Sequence, residues 1–119
     1  MRVKKQLDDE SLRRYKIIVA TEFWAAFDEI STYISANWTE SSVENFRAAV
    51  SRKIGSLDLF PGGHQLWRES EFRSCLVWDY LIFFQIDDAK NLVIVAKIYH
   101  AAQDLESLLD NNKNNKEEK

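Results

Sequence analysis

Two residues of this 119-residue chain, Arg73 and His100, have the types that acid–base or phosphate chemistry needs, and each stands at the end of an apolar run. His100 closes Leu92-Val-Ile-Val-Ala-Lys-Ile-Tyr99. Imidazole titrates near neutrality and could give or take a proton there. Ala101 and Ala102 follow it, with no arginine or lysine beside it, so a hydrogen-bonded histidine closing the strand carries more weight. Arg73 opens the run that leads to Tyr80-Leu-Ile-Phe-Phe84. Its guanidinium could hold a phosphate or a target group, and the competing reading is an ion pair with an acidic residue of the first helix. Lys97 interrupts an apolar strand and should face a groove or solvent. Trp67 and Trp78 should flank the polar side of a sheet, where aromatic side chains could anchor a protein partner. Tyr80 reads as core, Cys75 as a small buried apolar residue, and His64, after two glycines, as solvated. Arg47, Arg52 and Lys53 read as a solvated basic face of a helix.

These residues need a frame, and the stretch from Phe72 to His100 supplies it. Tyr80, Ile82, Phe84 and Ile86 alternate with Leu81, Phe83 and Gln85, and Leu92, Ile94, Ala96 and Ile98 alternate with Val93, Val95, Lys97 and Tyr99. Alternation by two predicts strands. The polar Asp87-Asp-Ala-Lys-Asn91 between them predicts a hairpin turn. Its β-branched and aromatic content places this hairpin at the centre of the sheet.

Upstream, Tyr15-Lys-Ile-Ile-Val19 predicts a short strand, with Thr21 as the N-cap of a helix over 22–37. Phe23, Phe27, Ile30 and Ile34 form its apolar stripe, widened by Ala26, Tyr33 and Trp38. Ser41-Ser-Val-Glu44 fits a capping box opening a second helix, whose stripe is Val43, Phe46, Val50, Ile54 and Leu57. The short link at 38–40 makes the two helices antiparallel, and their stripes need a sheet to bury against. Pro61-Gly62-Gly63 ends the second helix, and Leu66-Trp67 is a candidate edge strand. The pattern predicts an α+β domain over residues 13–109, closed by a short last helix with Ala101, Leu105, Leu108 and Leu109. It also predicts a loose N-terminal arm over 1–12 and a disordered polar tail over 110–119.

Composition narrows the function classes. A net charge of -3 argues against a general nucleic-acid binder, and direct sequence-specific DNA binding by this chain alone is not expected. A single cysteine excludes an internal disulfide and a cysteine-based zinc cage, and no cofactor or metal is expected. The N-terminal residues lack the apolar run of a signal peptide. No stretch is long and apolar enough for a membrane span, and a reducing cytoplasm fits.

Four segments in order resemble the RelE/ParE superfamily of type II toxin–antitoxin toxins, nearer to its ParE-like, plasmid-stabilisation branch. They are Tyr15-Lys-Ile-Ile-Val-Ala-Thr-Glu-Phe-Trp-Ala-Ala-Phe-Asp-Glu-Ile30, Leu57-Asp-Leu-Phe-Pro-Gly62, Arg73-Ser74 with Tyr80-Leu-Ile-Phe-Phe84, and Ile98-Tyr-His-Ala-Ala-Gln-Asp-Leu105. The resemblance implies the RelE/ParE-like fold, with an N-terminal strand and an antiparallel helical hairpin packed on a small antiparallel sheet. It implies a toxin encoded beside a cognate antitoxin that lies across the domain and neutralises it.

The ParE-like branch binds DNA gyrase; the RelE-like branch cleaves mRNA in the ribosomal A site without a metal. A cleaving site needs cations for the phosphate and a group that moves a proton. Here Leu81, Ala101, Ala102 and Gln103 stand where that branch carries arginines or neighbours of them. The expectation is therefore a toxin that acts by binding a target such as gyrase. Arg73, Trp67, Trp78, Lys97 and His100 are the candidate contacts with target or antitoxin. The alternatives are a ribosome-dependent mRNA endonuclease using Arg73 and His100, and a decayed toxin that retains only antitoxin binding.

Overall fold

The structure is a computed structural model, and it describes residues 14–68 and 70–103. The expected N-terminal arm, the polar tail and all of the expected last helix beyond Gln103 lie outside the described residues, and residues 101–103, where that helix is expected to begin, form a turn. The elements run β1 (Lys16–Val19), α1 (Thr21–Asn37), α2 (Glu40–Gly55), two 3-10 turns (Ser56–Asp58 and Pro61–Gly63), β2 (Arg73–Val77), β3 (Tyr80–Asp87) and β4 (Leu92–His100). The four strands form one sheet in the order β1-β4-β3-β2, so the predicted hairpin is central.

β3 pairs with β4 from Tyr80↔His100 to Asp87↔Leu92, and β2 pairs with β3 from Arg73↔Phe84 to Val77↔Tyr80, both antiparallel. β1 instead runs parallel to β4, so the sheet is mixed rather than wholly antiparallel. The helical hairpin and the connection behind it return the chain to its starting end before β2 begins, which leaves β4 pointing the same way as β1. The Asp87–Asn91 turn forms as expected. The Lys90 amide donates to the Asp87 carboxylate at 3.1 Å. Asn91 adopts φ 59°, a left-handed conformation that asparagine tolerates. Its side-chain amide donates to the Arg14 carbonyl at 2.7 Å and so ties the entry to β1. Trp78, in the turn between β2 and β3, also has a positive φ of 56°. A bulky residue is strained there, and its ring is held by contact with Phe46 at 5.2 Å.

Both helices lie on one face of the sheet. α1 buries Phe23, Phe27 and Ile34, and α2 buries Phe46, Val50 and Ile54, as their spacing predicts. Tyr33 and Trp38, expected to widen the α1 stripe, are 58% and 68% exposed. They lie beyond the arc that faces the sheet. The caps also shift. α1 starts at Thr21 itself, with Ala20 in the cap position and no side-chain cap bond. The Ala20 amide donates to the Val95 carbonyl at 2.8 Å, so the sheet fixes where the helix begins. α2 is capped by Thr39 rather than by the Ser41 box, because the Thr39 hydroxyl accepts from the Ser42 amide at 3.1 Å.

The alternation along β4 breaks once. Phe83 pairs with Lys97 but Phe84 pairs with Val95, so Ala96 is an extra residue in a bulge. Val93, Val95 and Ile98 consequently share the helix-side core, where strict alternation had set Ile98 apart from the two valines. Along β3 the pattern holds. Ile82 and Phe84 face the helices, and Phe83 is buried on the other face among Trp67, Phe72, Leu81 and Tyr99.

Candidate functional site

Arg73 and His100 both lie on the helix side of the sheet, since their strand partners Phe84 and Tyr80 belong to that core or pack against it. They do not form one site. The register separates them by four residues along β3 and by two strand spacings, roughly 13 Å and 10 Å. Arg73 donates through Nη1 to the His64 carbonyl, so it meets neither a phosphate-like arrangement nor an acidic residue of α1. His100 accepts from the Ala102 amide through Nδ1 at 3.0 Å, and its own amide donates to Gln103 Oε1 at 2.8 Å. It is the last residue of β4. Its ring stands edge-on to Tyr80 at 5.1 Å.

The other candidates are also distributed. Lys97 is not a solvated lysine. Its Nζ pairs with Glu22 of α1 at 2.9 Å, with only 15% of its side chain exposed. Trp67 and Trp78 lie on opposite faces. Trp67 packs edge-on against Phe83 on the helix-free face, and Trp78 leans on Phe46 on the helix side. The connection from the second 3-10 turn to β2 bends Trp67 around the edge through the Leu66↔Arg73 bridge. That bridge is all that forms of the expected edge strand.

His64 is half-buried and edge-on to Phe84, not solvated. Burial lowers its pKa from the ordinary value near 6.5, and the charges of Lys53 and Arg73 push it further down. A base whose folded pKa is depressed contributes stability that is intact above the unfolded value and lost as pH falls below it. Between pH 7 and 5.5 the parent should therefore lose more stability than His64→Gln, read as the drop in urea midpoint. Cys75 is buried, and burial raises its thiol pKa to about 11 against the opposing pull of Lys53. At pH 8 the native thiol should react with iodoacetamide at least ~30-fold more slowly than the urea-unfolded one, because only the thiolate attacks.

What the sequence reading missed is the surface away from the helices. Ile18, Leu66 and Leu76 are 43%, 50% and 56% exposed. Ile18 pairs with Ile94 and Leu76 with Leu81, so both lie on the face of the sheet opposite the helices. Antiparallel sheets usually show water a polar face. Here Leu76, Leu81, Phe83 and Tyr99 share that face. The signal was present in the period of two, which set Leu81 and Phe83 together and apart from the core side.

A family model described as the ParE toxin of the type II toxin–antitoxin system parDE matches residues 17–105. The chain belongs to the ParE toxin family. The toxin shares its fold with solved structures. The chromosomal ParDE toxin–antitoxin system from P. aeruginosa is similar at a TM-score of 0.65 and 9% identity, over 74% of this chain and 97% of that one. The toxin–antitoxin complex RelBE2 from Mycobacterium tuberculosis is similar at 0.53 and 22%, over 76% and 94%. At these identities the likeness is one of fold. No curated protein matches the sequence. Among the described residues, no group of histidine, cysteine and carboxylate side chains could hold a metal ion, and no helix is long and apolar enough to cross a membrane.

Proposed function

We propose that this toxin inhibits growth by binding a cytoplasmic target such as DNA gyrase rather than by cutting RNA, with residues 13–109 as the acting domain. A cognate antitoxin neutralises it by docking across the helix-free face of the sheet and the helical hairpin. The observation that carries this reading is the chemistry of that face. Leu81 stands on it where the cleaving branch that the chain resembles often carries an arginine, and Lys97 is committed to Glu22. Metal-free RNA cleavage needs preorganised cations and a proton-transfer group within reach of one another. Arg73 and His100 lie at separate ends of the opposite face, each with a hydrogen bond to backbone. The exposed Ile18 and Leu76 on that face suit a protein partner, and an extended segment can also add to the sheet edges at β1 or β2. The solved relatives are themselves toxin–antitoxin systems.

The test uses purified components. The toxin added to a gyrase supercoiling reaction is expected to inhibit it or to trap cleaved DNA. Added to a translating ribosome, it should leave the message whole. Cut message with unaffected gyrase would overturn the proposal.

A further inference from the structure

An open cleft of about 360 Å³ lies between α1 and the end of β4. Ala26, Glu29, Ile30 and Tyr33 line one side. Their spacing of three, one and three puts them on a single helical face. Tyr80 and His100, paired across β3 and β4, line the other. Ala26 is small, which leaves room above Ile98, a floor that is 1% exposed. The cleft therefore has an apolar base, two phenol rings and an imidazole as walls, and one carboxylate.

No lysine or arginine lines it. Among the described residues Glu29 has no ion pair. Burial raises the Tyr80 pKa, and Tyr33 and Asp79 raise it further, so its hydroxyl stays protonated beside the cleft. Aromatic faces with a carboxylate attract a desolvated cation, whereas a second anion would be repelled.

We infer that this cleft is a subsite for a basic side chain, an arginine or lysine presented by a docked peptide segment between Tyr33, Tyr80 and His100 with its charge against Glu29. That the segment belongs to the antitoxin rests on the proposed function; the recognition chemistry does not. The cleft is partly open to solvent, so a long side chain can enter it from outside. Gln103 lines the cleft, and Leu105, Leu108 and Leu109 follow it in the sequence. A leucine would gain nothing from the carboxylate or the phenol oxygens.

The test titrates the full ¹⁵N-labelled chain with the capped peptide Ala-Arg-Ala and with its citrulline counterpart, which keeps the shape and removes the charge. Amide shifts should centre on Glu29, Tyr33, Tyr80 and His100, and the citrulline peptide should bind at least about three-fold more weakly. Glu29→Gln and Tyr33→Ala should each weaken the arginine peptide by about the same factor; both side chains are exposed, so the fold survives either change. Equal binding of the two peptides would overturn the inference. So would the absence of shifts, or nuclear Overhauser contacts from Leu105 or Leu108 to Ala26 and Ile30 that persist through the titration. Growth arrest and its rescue by an antitoxin are measured apart from the peptide titration, so failure of one reading is not mistaken for failure of the other.

Discussion

Replacing Phe46 by alanine is expected to cost about 3–5 kcal/mol and to leave little folded toxin at physiological temperature. Phe46 is fully buried on α2. It stacks on Phe27 of α1 at 5.6 Å and 16°, and it meets Trp78 and Tyr80 of the sheet at 5.2 and 5.4 Å. One ring thus joins both helices to the β2–β3 hairpin. Truncation leaves a cavity that three elements would have to move to close. A domain of this size has only about 5–15 kcal/mol of stability in all, and each kcal/mol shifts the midpoint by roughly 4–8 °C. A thermal melt followed by circular dichroism should therefore fall by roughly 15 °C or more. Trp38→Ala deletes a larger ring but an exposed one, and should stay within about 0.5 kcal/mol of the parent. Equal melting temperatures for the Phe46 and Trp38 variants would mean that the helical hairpin is not packed on the sheet as described.

Leu76→Glu should leave the fold intact and remove neutralisation. Leu76 is 56% exposed on β2, opposite Leu81, so a carboxylate there stays solvated in the free toxin. In the antitoxin complex proposed above it would be buried without a partner, which costs a few kcal/mol. The dissociation constant for the antitoxin should rise by at least about 30-fold, the equivalent of roughly 2 kcal/mol, while the melting temperature moves by less than ~3 °C. Unchanged affinity would remove the helix-free face from the antitoxin interface and leave the helical side.

Much of the fold is readable from short-range patterns. The helix stripes at Phe23, Phe27, Ile34 and at Phe46, Val50, Ile54, and the Asp87–Asn91 turn, depend on local periodicity and turn chemistry, and they form where those rules put them. The departures arise where distant segments decide. The Ala96 bulge comes from pairing with β3, ten or more residues away, and it turns Ile98 toward the helices. The start of α1 is set by the Ala20 bond to Val95, which no cap rule at Thr21 contains. The parallel pairing of β1 with β4 follows from chain direction after two helices and a long connection.

The site was less legible than the fold for the same reason. Arg73, Lys97 and His100 are each explained by a partner remote in sequence or by backbone: the His64 carbonyl, Glu22 and the Ala102 amide. A charged residue in an apolar strand gives no hint of which partner it will find. The face bearing Leu76, Leu81 and Phe83 could have been noticed, because both sides of the alternation were apolar where one should have been polar.

The central claim is that the toxin arrests growth by binding. Its most direct test induces the chain from a tightly controlled promoter and samples plasmid supercoiling and transcript integrity in the same culture. Arrest with relaxed or broken DNA and intact transcripts is the predicted result. Arrest with codon-phased cuts in mRNA would contradict it, and so would unchanged growth in cells that contain the folded protein.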